Sequence, residues 1–324
     1  MTDQALGDDG VGDNVVLGCF SRGGSSLVWN LLASHPALAS AGMETHELFV
    51  GRSGERSTSA RWRRHLRDAL HGGGLPRPRF SSGHVLPNTG LFEASNLAQR
   101  RIPARMYGDV RQTLVSAPRL VAPAVDPVLA ESSPGSGDVA DPGAVVAKSI
   151  NGIVTLTPSV RAVLGACRNV LLLRDGVAMC ESRMRRGTFA RASKFGLVYR
   201  LVVSEMRRQV EADAETVVVF FEDLLDDPVT FTRDLYRSVG LDPSVVDNVR
   251  LKSKPHLQSS GVVAAPRPGS HHFWIALDDL PTVITSSIDE TQSDRLGAGD
   301  RRAFERSAGD SVEWVRSMRD VTHR

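Results

Sequence analysis

The 324-residue chain is expected to fold as an α/β protein, with a central parallel sheet of about five strands and helices on both faces. Three observations carry this expectation. Short apolar, β-branched runs recur along the chain, and they are apolar throughout rather than alternating, as strands buried on both faces are. Several pass at once into a helix-like pattern, the strand–helix alternation of parallel sheets with right-handed crossovers. The turn between the first run and the first helical pattern is small, basic and rich in glycine and hydroxyls. In such sheets ligands bind outside the C-terminal ends of the strands, where this turn would lie.

The five expected strands are Val15–Phe20, Ala37–Ala41, Ala144–Ala147, Asn169–Leu173 and Thr216–Phe221. Helical patterns follow at Ser25–Ser34, Val177–Arg186 and Leu224–Val239, and a last helix is expected over Asp300–Arg319. The segment at about 51–143 breaks the rhythm with Gly72–Gly74, "LPRPRFSSGHVLPNTG" and "ESSPGSGDVADPG". It reads as a loop-rich insertion in one domain spanning 14–324, with helices around Ala60–Leu70 and Ala94–Leu114; loops of this length are binding elements or disordered. The tail from Lys252 to Gly299 is also loop-rich, around "AAPRPGSHH". Residues 1–13, polar and acidic, read as a disordered N-terminus, neither a signal peptide nor an anchor.

Apolar residues make up 41% and charged residues 23%, the balance of a soluble globular protein. A net charge of +2 argues against a bulk nucleic-acid binder. The arginine clusters at Arg52–Arg67 and Arg100–Arg119 lack aromatic interleaving and read as solvated faces. Cys19, Cys167 and Cys180 form no CxxC pair, which argues against a disulfide framework or structural zinc. No run of about 18 apolar residues is present, so nothing is expected to span a membrane. The reading is a cytoplasmic protein.

In "CFSRGGSSL" the strand is expected to end near Phe20 and the helix to begin near Ser25. Gly23 and Gly24 allow a tight turn and close approach of backbone to a ligand. The free N–H groups of the helix start converge on one place, where the helix dipole favours negative charge. Ser25 and Ser26 add hydroxyl donors and Arg22 a charge. The plain alternative is a strand–helix turn with an N-cap serine. A triphosphate–magnesium loop would carry Lys before Ser/Thr, where this chain has Gly24. A second anion grip is expected in "RNVLLLRDGVAMCESRMRRG": Arg174 follows a strand, Ser182 lies eight residues on, and Arg186 shares its helix face. Two grips on neighbouring strand ends suggest one ligand with two separated phosphates.

These residues resemble the sulfotransferases that use 3′-phosphoadenosine 5′-phosphosulfate (PAPS). The first loop of that family has the form (K/R)-S-G-(T/S)-(T/S). "RGGSSL", Arg22 to Leu27, matches it at Arg22, Gly24, Ser25 and Ser26 and departs at Gly23, where serine is usual. Arg174 and Ser182 have the spacing of the family's 3′-phosphate grip, and "VVVFFEDLLDDPVTFTRDLYRSVGLD" resembles its strand, E-D-L, D-P and following helix. "HPALASAGMETHELF" and "VVAKSINGI" resemble its acceptor-side segments. The resemblance covers roughly Asn14–Glu47 and Ala144–Asp242. It implies a P-loop-like three-layer fold, Arg22–Leu27 on the 5′-phosphosulfate, Arg174 and Ser182 on the 3′-phosphate, and Phe221 near the adenine. It more loosely implies Arg267 with Ser270 closing over the 3′-phosphate.

The implied reaction moves a sulfuryl group from PAPS to a hydroxyl of a small-molecule, glycoside or glycolipid acceptor, giving 3′-phosphoadenosine 5′-phosphate (PAP) and a sulfate ester. Positioning and charge stabilisation should supply most of the rate, with no metal required. Lys148 at a strand end could reach the sulfuryl group. The acceptor proton needs a base, for which Glu44 in "GMETHELF" is the first candidate and Glu47 and His46 are rivals. Arginines of the insertion, Arg61, Arg63 and Arg64, would suit an anionic acceptor. Two rivals stay open: a P-loop nucleotide-dependent kinase, and a non-catalytic sulfotransferase-like binding module. A homodimer is compatible with the chain.

Overall fold

The computed structural model describes residues 14–44, 144–252, 272–284 and 293–322. The expected disorder at 1–13 and the insertion at about 51–143 lie outside the described residues, with the two helices expected there.

Five strands form one parallel sheet: β1 (Asn14–Cys19), β2 (Ala39–Glu44), β3 (Val145–Ile150), β4 (Cys167–Leu173) and β5 (Val217–Phe220). Their order is β2-β3-β1-β4-β5. The longer α-helices among the described residues are α1 (Ser25–Ala33), α2 (Thr157–Leu164), α3 (Gly176–Arg185), α4 (Ala192–Ala212), α5 (Phe221–Asp226), α6 (Pro228–Ser238), α7 (Ala298–Ala308) and α8 (Ser311–Thr322). A separate antiparallel pair joins β6 (Asn248–Lys252) and β7 (His272–Ala276). No described helix is long and apolar enough to cross a membrane.

The period-2 alternation of strands divides the core into two layers. Val15, Leu17 and Cys19 of β1, Val146 and Ile150 of β3, and Val170 and Leu172 of β4 pack with α1, α5, α6 and the β6–β7 pair. Leu171 and Leu173 of β4, Phe220 of β5, and Phe20 pack with α3, α4, α7 and α8. This is the expected parallel sheet with helices on both faces.

The departures from expectation are local and have identifiable causes. The pattern at Leu224–Val239 is two helices, because Pro228 pushes the preceding residue out of the helical region. Asp227 sits at φ −143°, ψ 87°, and its side chain accepts from the Thr230 N–H at 3.0 Å, capping α6. The last helix is likewise two, separated at Gly309, whose φ is 60°. The helix α4, 21 residues long, was not expected, although Phe195, Val198, Tyr199, Val202, Val203 and Met206 recur on one buried face. Strand β3 runs three residues past Ala147, so Lys148 lies inside a strand rather than at its end.

Candidate functional site

The strand order places the site. From β1 the chain enters α1 in one helical layer; from the adjacent β4 it enters α3 in the other. Connections that leave neighbouring strands for opposite faces open a crevice outside their carboxyl ends, where ligands of open α/β sheets bind. The Ser21–Gly24 turn and Arg174 both stand at this crevice.

The turn follows β1 after Phe20. The Gly23 N–H bonds back to the Phe20 carbonyl at 3.2 Å. Arg22 and Gly24 take left-handed conformations, with φ of 70° and 85°. Gly24 therefore supplies the conformational freedom expected of the pair. Gly23 is explained by space: a Cβ there would lie 3.2 Å from Met179 Sδ and from Phe20 Cβ. Gly24 is also the N-cap of α1, so no side chain caps this helix, and its first turn holds no acidic residue. Its carbonyl accepts from the N–H groups of Leu27 at 2.8 Å and Val28 at 3.1 Å. The N–H groups of Arg22, Gly24, Ser25 and Ser26 bond to no backbone acceptor among the described residues. The N-cap serine of the plain alternative is absent, and the helix end carries its partial positive charge uncompensated.

Arg174 reaches the same turn from β4. Its Nη1 donates to the Arg22 carbonyl at 2.6 Å, and its guanidinium stacks over the Phe221 ring at 4.6 Å from the centroid. Phe221, expected as the last residue of a strand, is the first residue of α5. Its buried ring lies directly against Gly24, and a methyl at Gly24 would overlap Phe221 Cδ2 and Cε2. Behind Arg174, the buried Tyr199 hydroxyl donates to the Arg174 carbonyl at 3.4 Å, and Glu222 Oε1 accepts from the Asp175 N–H at 2.7 Å. The β1, β4 and β5 ends are thus locked together. Holding Arg22 left-handed costs about 1–2 kcal/mol. A charge-assisted hydrogen bond such as that from Arg174 contributes about 1.5–3 kcal/mol, enough to offset it.

Three residues of this region escaped the sequence reading: Ser21, Asn151 and Arg183. Arg183 Nη2 donates to the Ser21 carbonyl at 2.6 Å, to Ser21 Oγ at 2.6 Å and to Asn151 Oδ1 at 3.1 Å. Asn151, at φ 51° just after β3, also accepts from the Ser21 N–H at 3.0 Å. No local signal marked Arg183: every residue of α3 from Gly176 to Arg183 is buried, so no apolar stripe singles it out in the sequence. Burial, and then repulsion from Arg22, push the Arg183 guanidinium down to about 10. Burial, and then Arg186, lower that of Arg22. These are cations crowding one another around a turn that presents hydrogen-bond donors.

The other expected residues fall as follows. Ser25 is buried, Leu27 half-buried and Ser26 exposed. Ser182 is buried on α3 beside Arg183, and Arg186 ends that helix, exposed. Lys148 is 5% exposed, so it is not a solvated lysine, and its Nζ lies 5.0 Å from the centre of the Trp29 ring, on α1 one turn beyond Ser25. Glu44 is the last residue of β2, and the backbone register sets it opposite Lys148. His46, Glu47, Arg267 and Ser270 lie outside the described residues.

The sulfotransferase family profile matches residues 14–244. Among solved structures, the sulfotransferase domain of the Synechococcus PCC 7002 olefin synthase is 18% identical, with 94% of this chain and 97% of that one covered at a TM-score of 0.45. A sulfotransferase from Alicyclobacillus acidocaldarius is 14% identical, with 90% and 99% covered and a TM-score of 0.42. No curated protein matches the chain.

Proposed function

Because the chain belongs to the sulfotransferase family, we propose that it transfers a sulfuryl group from PAPS to an acceptor hydroxyl, releasing PAP and a sulfate ester. One observation carries the reading beyond family membership. Arginines from two adjacent strand ends meet at a left-handed turn whose following helix is uncapped and without acidic residues. That donor set fits a strongly anionic ligand, and the crevice position fits a nucleotide.

In this reading the turn N–H groups, Arg22 and the hydroxyls of Ser25 and Ser26, with Leu27 behind them, hold the 5′ side of the donor. They stabilise the charge its phosphate gains as the sulfur–oxygen bond breaks. Arg174 and Ser182 hold the 3′-phosphate, with Arg186 at its edge, and Phe221 supports both grips from beneath Gly24. Lys148, buried and oriented by Trp29, offers a charge to the transferring group. Glu44 takes the acceptor proton, with Glu47 and His46 as the alternative bases. Arg267 and Ser270 close over the nucleotide. No step in this scheme calls for a metal, and the acceptor is a small molecule, glycoside or glycolipid headgroup.

Calorimetric titration with PAP, without magnesium and beside ATP and AMP, tests the donor. The expected result is PAP binding that Arg174→Ala and Ser182→Ala each weaken by about tenfold or more. Binding of magnesium-ATP with no PAP binding would overturn it in favour of a kinase-like protein. Binding of none of the three would favour a non-catalytic module.

A further inference from the structure

We propose that Arg183 is a positioning residue that sets the Ser21–Gly24 turn for its anion. The inference rests on the anion-binding reading of this turn.

Arg183 occupies a core position, 3% exposed, on the inner face of α3. Its contacts are the Ser21 carbonyl and hydroxyl, Asn151 Oδ1, and the rings of Phe189 and Phe195, whose centres lie 5.8 and 5.6 Å from its Cζ. None of these partners is a carboxylate, and its Nε is buried with no partner among the described residues. A buried cation without an anionic partner is costly, and an apolar side chain of similar length would pack against the same rings. The position nevertheless carries a charge.

The geometry says what the charge does. Arg183 draws the Ser21 carbonyl toward the core. The peptide is planar and trans, so the next N–H, that of Arg22, points the opposite way, out of the core. Arg174 then takes the Arg22 carbonyl. Two successive carbonyls held by two arginines define the left-handed turn at Arg22, whose own side chain is the only one of the three that is exposed. The arrangement puts the turn between a buried cation beneath it and an exposed cation above it. An anion seated on the turn relieves the repulsion between Arg183 and Arg22, and that relief contributes to affinity for the anion.

The test compares wild type, Arg183→Met and Arg183→Lys in the full-length chain. Two readouts use ligand: the rise in melting temperature given by inorganic sulfate and by pyrophosphate, and the affinity for PAP. A third is hydrogen exchange over residues 20–27 without ligand, compared with exchange over β4. Arg183→Met should lose the sulfate and pyrophosphate stabilisation, bind PAP about tenfold or more weakly, and exchange faster over 20–27 but not over β4. Arg183→Lys, which keeps the charge and loses the fork, should fall between Arg183→Met and wild type. In turnover the loss should be in KM for the donor, with KM for the acceptor unchanged.

A lower melting temperature with unchanged anion affinity would make Arg183 a merely structural residue and overturn the proposal. If Arg183→Met does not fold, Arg183→Lys decides on the same criteria. If wild type responds to sulfate and pyrophosphate but not to PAP, the donor reading fails while Arg183 is judged on the inorganic anions. If wild type responds to none of them, the proposal falls.

Discussion

Replacing Gly24 with alanine should break the interlock between the turn and Phe221. The position is left-handed, with φ of 85°, which costs an L-residue about 1–2 kcal/mol. The new methyl would overlap two atoms of the Phe221 ring and lie 3.0 Å from a third, Cγ. Phe221 is 7% exposed and packs in the core with Leu224 and Leu225, so the ring has little room to retreat. Overpacking of this kind costs about 1–3 kcal/mol. The sum is a loss of about 2–5 kcal/mol, or a fall in Tm on the order of 5–15 °C. Urea denaturation of Gly24→Ala, Phe221→Ala and the double variant measures the coupling. Phe221→Ala alone should cost about 3–5 kcal/mol. The double variant should be less destabilised than the sum by about 1–3 kcal/mol, because removing the ring removes the overlap. Gly24→Ala should also lose PAP binding, since the ring it displaces carries Arg174. Additivity of the two substitutions, or an unperturbed Gly24→Ala melt, would refute the reasoning.

Three further outcomes are expected. His35 is buried, its Nδ1 accepting from the Ala37 N–H at 3.1 Å and its Nε2 donating to the Asp242 carbonyl at 3.0 Å; burial first, partly opposed by Asp242, lowers its pKa. The neutral ring is the folded form, so the unfolded chain takes up the proton first: stability is full above the unfolded value near 6.5 and declines as pH falls below it, and His35→Gln should flatten that slope in denaturation curves measured from pH 7.5 to 5. All three cysteines are buried, and burial pushes the Cys180 thiol up to about 12. A thiol reagent should therefore label none of them in the native state and all three in urea; rapid labelling of native protein would contradict the packing. Lys148→Met should lower kcat by about 100-fold while changing PAP affinity less than about tenfold; an equal loss in both would make Lys148 a binding group.

The sheet was legible because its strands must be apolar on both sides. "VVLGCF", "NVLLL" and "TVVVF" are apolar at successive positions, as strands covered on both faces are. The turn was legible because an arginine, two glycines and two serines in that order, between an apolar run and a helical pattern, favour a tight break from strand to helix. The missed helix α4 shows the limit in the other direction: its apolar face is regular, but it is interrupted by Glu205 and Gln209, both buried. These fit there because Gln209 Nε2 donates to the Val154 carbonyl at 2.8 Å and Glu205 takes Arg208 at 2.6 Å. Gln209 is satisfied by a partner far along the chain and Glu205 within its own helix, and neither can be told from a surface residue in a linear chain. The same holds for Arg183, which reads as one more basic residue in "ESRMRRG" until its partners Ser21 and Asn151 are seen.

Sequence alone determined the class of the fold and placed the β1–α1 turn and Arg174 at the ends of their strands. Each depends on residues near one another in the chain, whose periodicity and backbone preference are local properties. The tertiary structure decided what lies between them. The order β2-β3-β1-β4-β5 makes β1 and β4 neighbours and so brings Arg174 onto the Arg22 carbonyl. It seats Phe221 beneath Gly24 and converts Arg183 from a helix-surface residue into a buried cation under the turn. Contacts across some 150 residues follow from strand pairing and from the packing of two layers on one sheet, and no local pattern encodes them.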